Sequence, residues 1–340
     1  MFQRIAPALL CCLLIPAACD EEKKITEPPF EQDPTKITLH GACEAEFRLG
    51  GFKVQMNEDM GYTAVDGEVF DGIVPGRVPE VIQTEGDCRL LKSRRLFCDP
   101  ACNSGFTCGF EETCIPMPLK QDLGTVVIRG LVERLALKAL QPGNSYSYNQ
   151  LQHPGFEVDH VIQLRATTGY LGPFELYGVG VSQLVPTTSA WTLSKGENLV
   201  IEWTPPPEDA KSRIYLEINI DQHGLTPLVL SCNLPDTGAA TIPSAIIDGL
   251  MDAGVTGYPA GSVTRRTEDS LTVPQGCMEF FVTSWRSMTV NVVGHTPCTN
   301  PGDCTPPEVC DMMIQQCYTP CDGPEDCTPP ATCNAENKCE

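Results

Sequence analysis

The sequence predicts a mainly β protein: two β-sandwich-like domains, immunoglobulin-like in architecture, with small disulfide-rich modules attached. Three observations predict it. Short runs of alternating apolar and polar residues recur along the 340-residue chain, separated by Gly, Pro, Asn and Asp. Sustained helical periodicity is nearly missing. Nineteen cysteines are too many for an ordinary cytosolic chain, so an oxidising compartment and cross-linked modules follow.

The clearest runs cover residues 125–128, 133–138, 160–166, 174–181, 198–203, 213–220, 278–285 and 288–293. Ile214, Leu216, Ile218 and Ile220 alternate with polar or aromatic residues, the mark of a strand with one buried face, and Met288, Val290 and Val292 repeat the pattern. One helix stands out after Pro243. Ile246, Ile247, Leu250 and Met251 share a face, while Ser244, Asp248 and Asp252 fall elsewhere. Gly254 suits the C-terminal cap, and Gly249 counts against the helix. Such a stripe reads as core closing the end of a sandwich. A change of composition at 184–190 places a boundary between an N-terminal β domain, 37–185, and a C-terminal sandwich, 186–296. Cys232 and Cys277 are the second domain's only cysteines, so pairing them is the economical expectation. Trp203 resembles the buried tryptophan of immunoglobulin-like sandwiches, although it precedes both cysteines, so the likeness is one of architecture.

The tail, 297–340, is a duplicated unit. Cys298, Cys304, Cys310 and Cys317 are followed by Cys321, Cys327, Cys333 and Cys339, at offsets of 23, 23, 23 and 22 residues. Asp-Cys-Thr-Pro-Pro recurs at 303 and 326. Large aliphatic residues are nearly absent from these units, 298–317 and 321–339, so cross-links must replace hydrophobic burial. A third copy, Cys98, Cys102, Cys108 and Cys114, lies inside the first domain as a module over 88–114. Cys43 and Cys88 complete a set of six there, expected to bond to each other or into the module. Four cysteines allow three pairings, and spacing does not choose among them. These units resemble the short EGF-like or Dickkopf-like cysteine-rich repeats of bacterial surface lipoproteins. The resemblance covers about 60 residues and implies an extracytoplasmic spacer or interaction module without catalytic residues. Zinc is disfavoured, because no Cys-x2-Cys or Cys/His pair has structural-zinc spacing.

The N-terminus fixes the expected address. Arg4, an apolar stretch from Ile5 to Ile15, and Pro16-Ala17-Ala18 have the layout of a secretory signal over 1–18, shorter than a membrane-spanning helix. Ala17-Ala18-Cys19 resembles the lipobox of bacterial lipoproteins, with Pro16 where Leu is usual. The resemblance implies that Cys19 is acylated and becomes the first mature residue, anchoring the chain to a membrane. Cys11 and Cys12 would leave with the signal, and an even sixteen cysteines would remain for disulfides. Residues 19–36 are acidic, contain Pro and read as a flexible tether. Asp20 resembles an inner-membrane retention signal of some bacteria; that rule varies between lineages and does not decide between inner and outer membrane.

Functional chemistry is sparse. With 23 Lys+Arg against 44 Asp+Glu the net charge is −21, which argues against nucleic-acid binding and against adsorption to anionic lipid through a basic patch. No nucleophile elbow, zincin, phosphate loop or dinucleotide fingerprint occurs, so no catalytic residue and no cofactor is expected. His153, Glu157, Asp159 and His160 form the densest candidate metal cluster, with the two carboxylates on one strand face; a solvated strand edge is the bland alternative. Asp221 and His223 read as a turn. Lys92, Arg94 and Arg95 form the one basic cluster, in a loop over 92–97 that offers either a docking surface for an acidic partner or a bait for a protease, against the plainer reading of a solvated loop. The expectation is therefore a non-enzymatic, extracytoplasmic, lipid-anchored envelope protein binding an extracellular protein or glycan. A hydrolase or metal-dependent enzyme on a β scaffold is the alternative, and a protease inhibitor acting through 92–97 is a further one.

Overall fold

The computed structural model describes residues 29–220, 228–329 and 331–339; the signal segment, Cys19, Asp20, Asp221 and His223 lie outside them. In chain order the strands are β1 (Arg48–Asn57), β2 (Tyr62–Val69), β3 (Glu80–Glu85), β4 (Cys88–Lys92), β5 (Phe106–Cys108), β6 (Cys114–Pro116), β7 (Val126–Arg129), β8 (Leu135–Leu137), β9 (Tyr146–Leu151) and β10 (Val161–Ala166). They continue with β11 (Phe174–Val179), β12 (Ala190–Leu193), β13 (Leu199–Glu202), β14 (Arg213–Asn219), β15 (Leu228–Pro235) and β16 (Ala239–Ile242). After the helix α1 (Ser244–Asp252) come β17 (Ala260–Val273), β18 (Gly276–Val292), β19 (Val309–Asp311) and β20 (Gln316–Tyr318). The chain is mainly β and sandwich-like, and the apolar alternation explains why: Ile214, Leu216, Ile218 and Ile220 are all buried.

One sheet of ten strands runs β3-β4-β15-β14-β17-β18-β1-β2-β9, with β12 pairing to the far end of β18. Two cores lie against it. The first packs Phe52, Val54, Met278, Phe280 and Val282 of the large sheet onto the four-stranded sheet β11-β10-β7-β8. The second packs Ile214, Leu216, Met288 and Val290 onto β13, β16 and α1. Residues 31–340 form one compact unit, and both cores draw on both sides of the boundary expected at 184–190: Cys88 and Leu90 pack in the second core, and Met278, Phe280 and Val282 in the first. β1 pairs with β18 and β4 with β15, which interleaves the stretches expected to fold apart. In α1, Ile246, Ile247 and Leu250 are buried in the second core. A Cβ at Gly249 would meet the tip of the Gln83 side chain of β3, a flexible group that can move aside, and Gly254 ends the helix at φ +94°.

The hairpin β17–β18 spans both cores, and its polar residues are the joint. Arg265, Thr267 and Asp269 alternate along the inward face of β17, and each is buried. Asp269 accepts from the Tyr177 N–H, and Thr267 both accepts from the Val179 N–H and donates to its carbonyl. β11 is an edge strand of its sheet, so these side chains satisfy backbone groups that would otherwise be buried and unpaired. Arg265 reaches the connection between the cores, donating to Ser182 Oγ and the Gln183 carbonyl. On β18, Ser284 Oγ accepts from the Leu184 N–H while Arg286 donates to the Leu184 carbonyl.

Eight disulfides cross-link the described residues. Cys43 pairs with Cys277 and Cys88 with Cys232. This corrects both the expected Cys232–Cys277 pair and the expected placement of Cys43 and Cys88. The reason is register: Cys232 on β15 stands directly opposite Cys88 on β4, with Cα atoms 4.0 Å apart, while β14 and β17 separate β15 from β18. Each bridge ties an N-terminal strand region to a C-terminal one. In the small units the pairing is first-to-third and second-to-fourth throughout: Cys98–Cys108 and Cys102–Cys114, Cys298–Cys310 and Cys304–Cys317, Cys321–Cys333 and Cys327–Cys339. In each unit the third and fourth cysteines face each other across a small hairpin or bridge.

Glu279 carries a pH prediction. Its side chain is buried, accepts from the Cys43 N–H and pairs with Arg48 Nε at 2.8 Å. Desolvation by burial nonetheless outweighs Arg48 and raises its pKa above 4.5. A raised folded-state pKa means the native chain holds this proton more tightly than the unfolded chain. The stability it brings is full below the ordinary glutamate pKa and is lost as pH rises through the elevated value. Comparing urea midpoints of wild type and Glu279→Gln between pH 4 and 7 is expected to show wild type losing ground to the variant as pH rises. Parallel profiles would refute it.

Candidate partner-binding cleft

Lys92 closes β4, and from there the chain leaves the sheet, so the basic cluster stands where the large sheet hands over to a cross-linked module. The module has no aliphatic core; disulfides Cys98–Cys108 and Cys102–Cys114 and the short hairpin β5–β6 fix its backbone. Between the 93–97 segment and the module lies an open cleft of about 590 Å³, walled by Arg94, Arg95, Leu96, Phe97 and Phe106 and floored by Cys102 and Cys108. Phe97 is 76% exposed, Phe106 46% and Phe110 43%. Three phenylalanines held this far out of the core, beside two arginines, make a surface suited to contact. The Arg94 guanidinium lies 5.3 Å from the Phe110 ring centre. Its Nε is buried with no hydrogen-bond partner among the described residues. Arg95 is exposed.

A second open cleft of about 640 Å³ lies beside residues 185–189, where Asp59, Arg286 and Ser287 are engaged with one another. Asp59 accepts from the Ser287 N–H and hydroxyl and pairs with Arg286 at 3.4 Å.

The metal candidates do not converge. His153 Nε2 lies 3.5 Å from Glu58 and its Nδ1 3.2 Å from Thr63 Oγ1, whereas His160 Nε2 lies 3.3 Å from Glu157. Residues 153–160 form no strand, and Asp159 sits in a turn at φ +62°, so the expected shared carboxylate face is absent. The structure thus places His160 beside Glu157 and His153 beside Glu58, and does not bring His153, Glu157, Asp159 and His160 into one cluster. The groups of three with metal-ligand spacing among the described residues are all cysteines of the small units, and every one of those sulfurs is in a disulfide.

Other perturbed groups are structural. Burial lowers the pKa of Lys53 despite Asp66 and Glu217 nearby. Burial lifts Tyr146 and Tyr215 to about 12. The Tyr146 hydroxyl accepts from the Leu123 N–H and has the Gly124 carbonyl at 3.0 Å and Asp122 Oδ1 at 3.3 Å as alternative acceptors for its one proton, and Tyr215 donates to Glu217. Phe97 closes the 92–97 segment the sequence singles out, while Phe106 and Phe110 are what sequence reading missed in the module. Their spacing between cysteines is a usable signal, since a unit without a core cannot bury them.

No protein-family model and no curated protein matches the chain. Among solved structures it is similar to the crystal structure of chicken CNTN1 FN1-FN3 domains. That likeness is at 10% identity and a TM-score of 0.17, over 62% of this chain and 65% of that one, so this chain spans just under two thirds of it.

Proposed function

We propose that the chain is a non-enzymatic, lipid-anchored protein of the cell envelope that binds an extracellular partner, protein or glycan, through the cleft at the first cysteine module. The observation that carries this reading is the exposure of Phe97 and Phe106 beside Arg95 on a backbone pinned by two disulfides. A rigid module loses little entropy on binding, so contacts made there go into affinity. In a chain of net charge −21, a local basic rim selects a partner that is acidic at the point of contact. The number of disulfides supports an extracytoplasmic address. The anchor rests on Cys19 and its lipobox-like context, and the cysteine units, similar to EGF-like repeats, serve as spacers.

Capture from native envelope and culture medium tests the cleft. Wild type is expected to retain a partner that Arg95→Glu and Phe97→Ser each lose at least tenfold, about 1.4 kcal/mol. Equal capture by all three would end the reading. Mass spectrometry of the mature N-terminus is expected to find an acylated Cys19, and an unmodified residue there would remove the anchor.

A further inference from the structure

We propose that the free edge of β3 takes up an extended polypeptide segment of the partner, added as a further strand whose end enters the cleft. This rests on the binding reading above and names the kind of ligand. β3 is the last strand of the large sheet and pairs with β4 alone. Alternate N–H and C=O groups of a terminal strand point away from its one neighbour. No backbone group of residues 80–85 has another protein partner among the described residues. Val81 and Ile82 are each 48% exposed, so apolar side chains accompany the open backbone groups.

Position connects this edge to the cleft. Glu80, where β3 begins, is in register with Lys92, where the basic segment begins, and Gly76 just before β3 lines the cleft itself. A strand laid along β3 and continuing past Glu80 heads toward the end of the sheet where Gly76 lines the cleft that Arg95 and Phe97 also line. Main-chain hydrogen bonds then supply affinity and the cleft supplies selection, the division of labour seen in strand addition generally. The fitting segment alternates β-branched residues along β3 and ends in a carboxylate-bearing, apolar stretch.

A second copy of this chain fits poorly. Antiparallel self-pairing of β3 about its middle sets Glu80 against Glu85 of the other copy, and like charges directly opposite are destabilising. The bulge between Val81 and Gln83 further guards the edge against indiscriminate pairing.

The test pans a random twelve-residue peptide display library on the disulfide-intact chain. Enriched peptides are expected to alternate β-branched residues and carry Asp or Glu. A synthetic enriched peptide is expected to slow hydrogen exchange of the amides at 80–85, and to bind at least tenfold more weakly when alternate backbone nitrogens are N-methylated. Failure to enrich any peptide, binding without protection at 80–85, or equal affinity after N-methylation would each overturn strand addition. Peptides that lose affinity with Phe97→Ser yet protect no β3 amide would do so while leaving the cleft reading intact. That reading falls separately, on equal capture by wild type, Arg95→Glu and Phe97→Ser.

Discussion

Asp236→Ala is expected to destabilise the protein by about 3–5 kcal/mol, the cost of leaving a buried partner charge uncompensated. The Asp236 and Arg265 side chains are 2% and 1% exposed and meet at 2.7 Å. Asp236 also accepts from Trp203 Nε1 and Ser212 Oγ. One carboxylate thus holds β17, the end of β13 and the approach to β14 together. Arg265 would keep its bonds to Ser182 Oγ and to the Gln183 and Thr204 carbonyls, yet its charge would stand alone. Urea unfolding checks this. The double variant Asp236→Ala, Arg265→Met should recover part of the loss, because removing both charges removes the desolvation problem. Asp252→Ala, at an exposed pair with Lys195, should leave the midpoint where it was. A double variant no better than Asp236→Ala would count against the buried-pair account.

The second large effect is in the tail. In the 298–317 unit the buried residues are Cys298, Cys304 and Cys317, with Cys310 packed against them, so sulfur is the core. Each bridge closes a loop of 12 or 13 residues, worth about 3 kcal/mol in the chain-entropy model. No apolar cluster remains to hold the unit once they are gone. Replacing Cys298, Cys304, Cys310 and Cys317 by serine is expected to open residues 298–317 to limited proteolysis within minutes while the rest of the chain stays protected. Continued resistance of that unit would mean that something other than sulfur holds it.

Part of this fold is legible from local pattern; β1 and β15 lie outside the expected runs although Phe52, Val54 and Met56, and Leu228, Leu230, Cys232 and Leu234, alternate as buried residues along them. Each of the eight expected runs overlaps a strand, the run 133–138 only at Leu135–Leu137, and 278–285 and 288–293 join into the single long β18. The stripe of Ile246, Ile247 and Leu250 becomes a core-facing helix. β17 escapes notice because its inward row includes Arg265, Thr267 and Asp269, chosen for the backbone groups of β11 and not for burial of apolar area. Period-2 hydrophobicity cannot report a face whose partners are hydrogen bonds. The Cys43–Cys277 and Cys88–Cys232 pairs escape for a related reason. Sequence separations of 234 and 144 residues are set by strand order, and strand order does not show in spacing. Of the site, the basic residues were visible as a charge run, while the cleft exists only because the module folds Phe106 toward Phe97.

The bridges across the large sheet make the rigid platform on which the cleft depends, so connectivity is the decisive quantity. Proteolysis of the unreduced native protein, followed by mass spectrometry of the linked peptides, should recover Cys43 joined to Cys277, Cys88 to Cys232 and the first-to-third, second-to-fourth pattern in all three small units, with no reactive thiol. A peptide joining Cys232 to Cys277, or a set of free thiols, would contradict it.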